Sequence, residues 1–219
     1  MKKLLLLGAG IEQKIVIEYA HELGFEVIAI DSNFDAPGLK ISDVSVVEDI
    51  TNVDKICEIA QKYSVNGVMT HAVEIPHIVS RVAQKMNLPG LSPEIADIAT
   101  NKKMRIECFQ KNKIPCPKFT YGSSTEEILK KIKNFVFPLV MKPIDNAGSR
   151  GVIKVEKIND ISQIYDECTS FSNTKTVLIE EFLSGPQLST ESIIINNKII
   201  TTGFADRNYD MDKKFSPYF

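Results

Sequence analysis

The chain reads as an α/β protein, with a parallel-sheet domain over residues 1–95 and the first part of an α+β domain over 96–219. Two patterns carry this reading. Through the first ninety residues, short apolar runs alternate with amphipathic stretches, an order that calls for right-handed crossovers and a parallel sheet. After Leu91 the texture changes to proline-punctuated helix, strand–loop–strand and hairpin patterns, which are those of antiparallel pairing.

Element by element, residues 3–7 are a short apolar strand, and Gly8-Ala9-Gly10 turns the chain into a helix over 12–23 that Gly24 stops. A strand over 26–30 ends at Asp31, and 43–47 is a short third strand. Residues 54–63 are helical, with Ile56, Ile59 and Ala60 on one stripe. A fourth strand follows at 65–70 and a helix at 75–86. Ligands of such sheets sit beyond the carboxyl ends of the strands, here Gly8–Gly10, Asp31 and His71–Glu74. In the second part, a helix over 100–112 is ended by Ile114-Pro115-Cys116-Pro117. Another spans 125–134, capped by Ser124 or Thr125. Strands at 138–142 and 152–155 flank a polar glycine loop, 160–168 is helical, and 176–182 is a strand. Residues 189–205 form a hairpin turning at Asn196-Asn197, residue types that tolerate positive φ.

Composition excludes several classes. At 219 residues, 43% hydrophobic and 25% charged, the chain is an ordinary globular protein, and a net charge of -2 offers no broad basic field for nucleic acid or an anionic membrane. Lys2-Lys3 before Leu4–Leu7 imitates a secretory leader, but the apolar run is too short and charge returns at Glu12. No stretch approaches the roughly 20 apolar residues of a membrane span. Cys57, Cys108, Cys116 and Cys168 are far apart, which fits a reduced cytoplasm and gives no metal-ligand spacing.

Gly8-x-Gly10 after a strand, with Asp31 some twenty residues on, imitates a dinucleotide-binding fingerprint, but Gln13 stands at the third glycine position. The expectation is a tight strand-to-helix turn. A substrate-side role for its amides is the second reading and nicotinamide binding the third.

The stronger constellation is ordered along the second half: Thr100-Asn101-Lys102-Lys103 leading to Ile114-Pro115, Pro138–Pro143 with Lys142, the 145–152 loop, and Glu180-Glu181-Phe182-Leu183-Ser184-Gly185. Lys142 ends an apolar strand and precedes a proline, so its ammonium stands on a rigid base. Gly148, Ser149 and Gly151 leave loop amides open to phosphate oxygens, and Arg150 adds a planar donor fork. A strand follows this loop, so no helix dipole contributes and cations must neutralise a polyphosphate.

That ordered set resembles the ATP-grasp superfamily of ligases along most of the chain. The resemblance implies a Rossmann-like pre-ATP-grasp sheet followed by an incomplete ATP-grasp domain. It places Lys102 and Lys142 on the nucleotide phosphates, with Lys103 a weaker candidate than Lys102. Gly148, Ser149, Arg150 and Gly151 form the loop that closes over the triphosphate. Glu180, Glu181, Phe182 and Leu183 form the hinge whose backbone reads adenine. Gln187 stands where the family usually has a ribose-binding glutamate, with Glu191 as a substitute; Gln187 keeps hydrogen bonding and loses charge. The implied activity is carboxylate–amine ligation with ATP and Mg²⁺ through an acyl phosphate, by positioning and electrostatic stabilisation. Arg150 and Arg207 are the candidate catalytic cations, although a surface arginine is the plainer account of Arg207. Glu74 and His71 are candidates at the cleft. The family's metal ligands lie beyond the hinge, so the metal site is unassigned, and the chain is expected to be a fragment that binds nucleotide weakly. The partners implied are a small carboxylate and an amine, with a homodimer left open. A non-catalytic nucleotide-binding module and a nicotinamide-dependent oxidoreductase are the competing classes.

Overall fold

The computed structural model describes residues 1–196 and 198–207. It divides into two compact units, Met1–Cys108 and Phe109 onward.

The first unit is built on β1 (Lys2–Leu7), β2 (Phe25–Asp31), β3 (Val44–Val47) and β4 (Gly67–Thr70), all parallel in the order β3-β2-β1-β4. A sheet covered on both faces needs strands apolar on both sides, and the four leucines of β1 meet that need. Leu5 and Leu7 pack with Ile56 and Ala60 of α2 (Val53–Tyr63) and with Ile78 and Val82 of α3 (Pro76–Lys85). Leu6 faces the opposite layer, with Ile17 and Ala20 of α1 (Lys14–Glu22) and with Leu39 of a 3-10 turn at Pro37–Lys40. Each of these buried leucines contributes about 1.5–3 kcal/mol. Gly24, at φ +77°, ends α1 in the left-handed conformation that glycine adopts at low cost.

The sequence pattern gave no element at 93–100, where the structure has α4 (Pro93–Thr100). The signal was present: the Ser92 hydroxyl accepts from the Ile95 N–H at 3.3 Å, and Pro93 with Glu94 opens the first turn. Asn101 leaves helical geometry at ψ 118°, and its side chain accepts from the N–H groups of Lys103 (3.0 Å) and Met104 (3.1 Å). The helix expected from 100 therefore starts as α5 (Lys102–Lys111). Arg81 forks onto Asp97 at 2.9 and 3.0 Å and clasps α4 to α3. The compact division thus falls within α5, later than the change of sequence texture near residue 95, because α4 packs on α3.

The second unit is an antiparallel sheet in the order β5-β8-β6-β7, formed by β5 (Phe119–Gly122), β6 (Leu139–Pro143), β7 (Ile153–Val155) and β8 (Val177–Glu181). β5 was not expected; its Phe-Thr-Tyr run was too short to stand out beside the prolines. Leu139, Met141, Val177 and Ile179 cluster with Ile128 of α6 (Thr125–Lys131) and with Ile161 and Cys168 of α7 (Ile161–Thr169). α6 stops at Lys131, earlier than its expected end at 134. β9 (Leu188–Ile195) and β10 (Lys198–Asp206) form a separate hairpin, with Asn196 at φ 49° in its turn. Among the described residues, no helix is long and apolar enough to cross a membrane. No disulfide joins any of the four cysteines, and Cys168 is buried.

Candidate functional site

Side chains alternate across a strand, so the residues between the helix-facing ones of β6 and β8 share the opposite face: Val140, Lys142, Leu178 and Glu180. Register sets Val140 against Glu180 and Lys142 against Leu178, making Lys142 and Glu180 diagonal neighbours. Lys142 Nζ donates to Glu180 Oε2 at 2.8 Å, with the two side chains only 13% and 12% exposed. The lysine is thus held in place by a carboxylate within its own sheet. Glu180 was expected to serve through its backbone; in the structure its side chain holds Lys142.

β7 places a third ion on this face, because Lys154 lies opposite Val140. Its ammonium stands 4.8 Å from the Phe182 ring centroid and 2.8 Å from Glu156. Lys154 was not singled out from the sequence. The signal was its place between Ile153 and Val155, the latter fully buried.

The loop between β6 and β7 is anchored where it begins. Asp145 accepts from Ser172 Oγ at 2.7 Å and from the Thr174 N–H at 2.9 Å. Burial pushes its carboxyl up, but these hydrogen bonds more than offset that and leave it below the usual carboxylate range. Beyond the anchor, Gly148 (φ 65°), Ser149 (φ 58°) and Gly151 (φ 76°) all take left-handed backbone. Arg150 turns back on its own loop, donating through Nε to the Ala147 carbonyl at 3.2 Å and through a terminal nitrogen to Asn146 Oδ1 at 3.3 Å. In this arrangement the guanidinium braces the loop.

At the expected hinge, the Glu181 N–H donates to the Lys118 carbonyl at 3.0 Å and the Phe182 N–H to the Pro138 carbonyl at 3.2 Å. The chain leaves the sheet there. Leu183, Gly185, Gln187 and Arg207 line an open hollow of about 470 Å³. The Arg207 N–H bonds the Gln187 carbonyl at 2.9 Å, so these two residues, twenty apart in sequence, sit side by side.

In the first unit, Gly8 (φ 94°) and Gly10 make the tight turn, but the surroundings are already filled. The Ala9 N–H donates to Asp31 Oδ2 at 2.7 Å and the Asn33 N–H to Asp31 Oδ1 at 2.9 Å. Buried Gln13 donates to the His71 carbonyl at 2.6 Å, tying the start of α1 to the end of β4. A dinucleotide needs this carboxylate for a ribose and this amide for a phosphate; both are engaged by the chain itself. Lys102 lies half-buried in the first turn of α5. Among the described residues, no group of three His, Cys, Asp or Glu is placed to hold a metal ion.

A parallel α/β sheet, followed by an antiparallel sheet with a carboxylate-held lysine and a glycine loop, is the architecture of an ATP-grasp protein. Comparison with known families narrows this: the chain belongs to the phosphoribosylglycinamide synthetase ATP-grasp (A) domain family, whose model matches residues 100–213, just over half of its length. A formate-dependent phosphoribosylglycinamide formyltransferase from Saccharolobus solfataricus is 24% identical over 198 residues, covering 89% of this chain and 49% of that protein. An L-amino acid ligase from Bacillus licheniformis superposes with a TM-score of 0.80 at 21% identity, over 100% of this chain and 52% of the ligase. The biotin carboxylase domain dimer of Hydrogenobacter thermophilus 2-oxoglutarate carboxylase, solved with MgADP, ADP and bicarbonate, gives 0.79 at 18% identity, over 94% and 50%. The chain spans about half the length of the curated relatives it matches.

Proposed function

We propose that the whole protein is an ATP-dependent ligase that joins a small carboxylate to an amine through an acyl phosphate. The observation that carries this reading is the Lys142–Glu180 pair on the face of the second sheet opposite α6 and α7, followed in the chain by a loop whose Gly148, Ser149 and Gly151 take left-handed backbone. A lysine fixed by a carboxylate presents its remaining N–H groups in a set direction, as α- and β-phosphate oxygens require.

In the proposed reaction a carboxylate oxygen attacks the γ-phosphorus of ATP, the bond to the bridging oxygen breaks, and ADP leaves. The amine then adds to the acyl-phosphate carbon, loses a proton, and expels inorganic phosphate. Lys102 and Lys142 take the phosphates, and the amides of Gly148, Ser149 and Gly151 close over them. Arg150 swings from Asn146 and Ala147 to the γ-phosphate as charge develops there. Backbone from Glu180 through Glu181 and Phe182 to Leu183 takes the adenine edge, Gln187 the ribose hydroxyls, and Arg207 an anionic substrate group. Closure also excludes water from the acyl phosphate. Mg²⁺ would accompany the triphosphate and screen its charge; the cations this chain itself supplies are its lysines and arginines. Division of the whole into a pre-grasp domain over 1–95 and a grasp domain from 96, a cytoplasmic location and a homodimeric assembly belong to the same reading. The relatives named above carry formate, an L-amino acid or bicarbonate in their names or complexes, which supports a small carboxylate as the first substrate.

The test is ADP release by the full-length protein with panels of small carboxylates and amines, beside Lys142→Ala. Release that needs both substrates and falls at least a hundredfold in the variant is expected. A wild-type rate from Lys142→Ala removes the phosphate assignment, and binding of ATP without turnover on any pair favours a nucleotide-binding module.

A further inference from the structure

The loop between β6 and β7 is held unevenly. At its start, Asp145 accepts from the hydroxyl of buried Ser172 at 2.7 Å and from the Thr174 N–H at 2.9 Å. At its end, Gly151 has no room around it: a Cβ there would stand 3.1 Å from the Phe171 ring and 3.1 Å from the Cys168 carbonyl oxygen. Both ends therefore rest on one segment, the run from the end of α7 to β8. That segment is braced in its turn. The Tyr165 hydroxyl donates to the Lys175 carbonyl at 3.0 Å, and Lys175 Nζ to the Thr169 carbonyl at 2.9 Å. Between its ends the loop is bonded to itself. Asn146 Nδ2 donates to the Arg150 carbonyl at 3.3 Å, and Asn146 Oδ1 accepts from the Ala147 N–H at 2.8 Å. A Cβ on Gly148 would meet nothing within 4 Å.

We infer that Asp145 is a positioning residue for this loop: pinned to the α7–β8 connection, it fixes the pivot, so that closure carries residues 146–150 over the nucleotide while 145 and 151 stay in place. The inference rests on the nucleotide site proposed above. A closing loop works by confining backbone rotation to a few residues. Here those residues lie midway, at Gly148 and Ser149, whose left-handed backbone is fixed by no neighbour of the glycine. Without the pin the root of the loop gains freedom, and closure must then order more residues. Each residue ordered costs conformational entropy, so nucleotide binds less tightly. The two hydrogen bonds, rather than the charge, do the holding. An asparagine keeps both, because its Oδ1 takes the Thr174 N–H and its Nδ2 donates to the Ser172 oxygen. An alanine keeps neither.

Amide hydrogen exchange of the full-length protein, with and without a non-hydrolysable ATP analogue, tests this, and far-UV circular dichroism confirms that each variant is folded. Without ligand, Asp145→Ala should speed exchange over residues 145–151 and 172–174 by about tenfold, and leave β5 and α6 as they are in the wild type. Ser172→Ala keeps the Thr174 bond and should give about a third of that effect. Affinity for the analogue should fall about tenfold in Asp145→Ala and about threefold in Ser172→Ala, whereas Asp145→Asn should stay within about twofold of the wild type. Three outcomes overturn the inference alone: exchange that rises throughout the second unit, analogue binding lost in Lys142→Ala yet untouched in Asp145→Ala, or Asp145→Asn as weak as Asp145→Ala. A wild-type protein that binds no analogue overturns the proposed site, and this inference with it.

Discussion

The Lys142–Glu180 pair gives the sharpest energetic prediction. At about 4 Å and an effective dielectric near 20, two unit charges attract by about 4 kcal/mol. Withdrawing both from water cancels much of this. With side chains 13% and 12% exposed and an Nζ–Oε2 distance of 2.8 Å, the net coupling is expected near 2 kcal/mol, above the 0.2–1 kcal/mol or so of exposed pairs. The perturbation is a double-mutant cycle of Lys142→Met, Glu180→Gln and both together, read by urea unfolding of the second unit's transition. Each single variant leaves the other group half-stranded among Val140 and Leu178 and should cost about 2–3 kcal/mol, whereas the double variant should cost less than the sum by about 2 kcal/mol. Lys142→Met should also abolish binding of an ATP analogue. Glu180→Gln should weaken it more mildly, through a less well-held lysine. Coupling below about 0.5 kcal/mol would refute the reasoning, because it would mean water screens the pair as it screens a surface contact.

Three further outcomes follow from the geometry. A Cβ at Gly151 would stand 3.0 Å from Pro143 Cγ and 3.1 Å from the Cys168 carbonyl oxygen at φ +76°, so Gly151→Ala should destabilise by about 2–3 kcal/mol; Gly148→Ala, at φ +65° in open space, should cost about 1 kcal/mol by thermal unfolding. The Asp145 carboxyl lies below its ordinary value when folded, so its stabilisation is present above the unfolded pKa, near 4, and is lost as pH falls through the lower folded value. Asp145→Asn should accordingly flatten the stability–pH curve below about pH 4, and an unchanged slope there would contradict the Ser172 and Thr174 contacts. Gln13→Gly completes the three-glycine pattern, yet it should confer no NADH binding, because Asp31 still occupies the Ala9 amide. It should also lower stability by about 2 kcal/mol through loss of the buried bond to the His71 carbonyl; fluorescence titration and denaturation read the two effects.

Much of this protein was legible in order and type. The leucine run of β1, the glycine after α1 and the alternation of strands and helices specified a parallel sheet, because burial on both faces demands apolar strands. The strand that ends in Lys142-Pro143, the left-handed loop after it and the strand that ends in Glu180-Glu181 were readable because apolar runs and small residues set local backbone geometry. Short elements were less legible. α4 hid behind a single Ser-Pro cap, and β5 is four residues long.

What the residues alone determined was which cationic, acidic and small residues this chain carries and in what order. Only tertiary structure decided which of them meet. Strand register places Glu180 diagonally across from Lys142, and Lys154 on the same face. The turn of Arg150 onto Asn146, and of Asp31 onto the Ala9 amide, settles which polar groups are already engaged. The physical reason is that periodicity fixes the side of a strand on which a residue lies, while its partner is set by pairing between strands far apart in the chain, which no local pattern encodes.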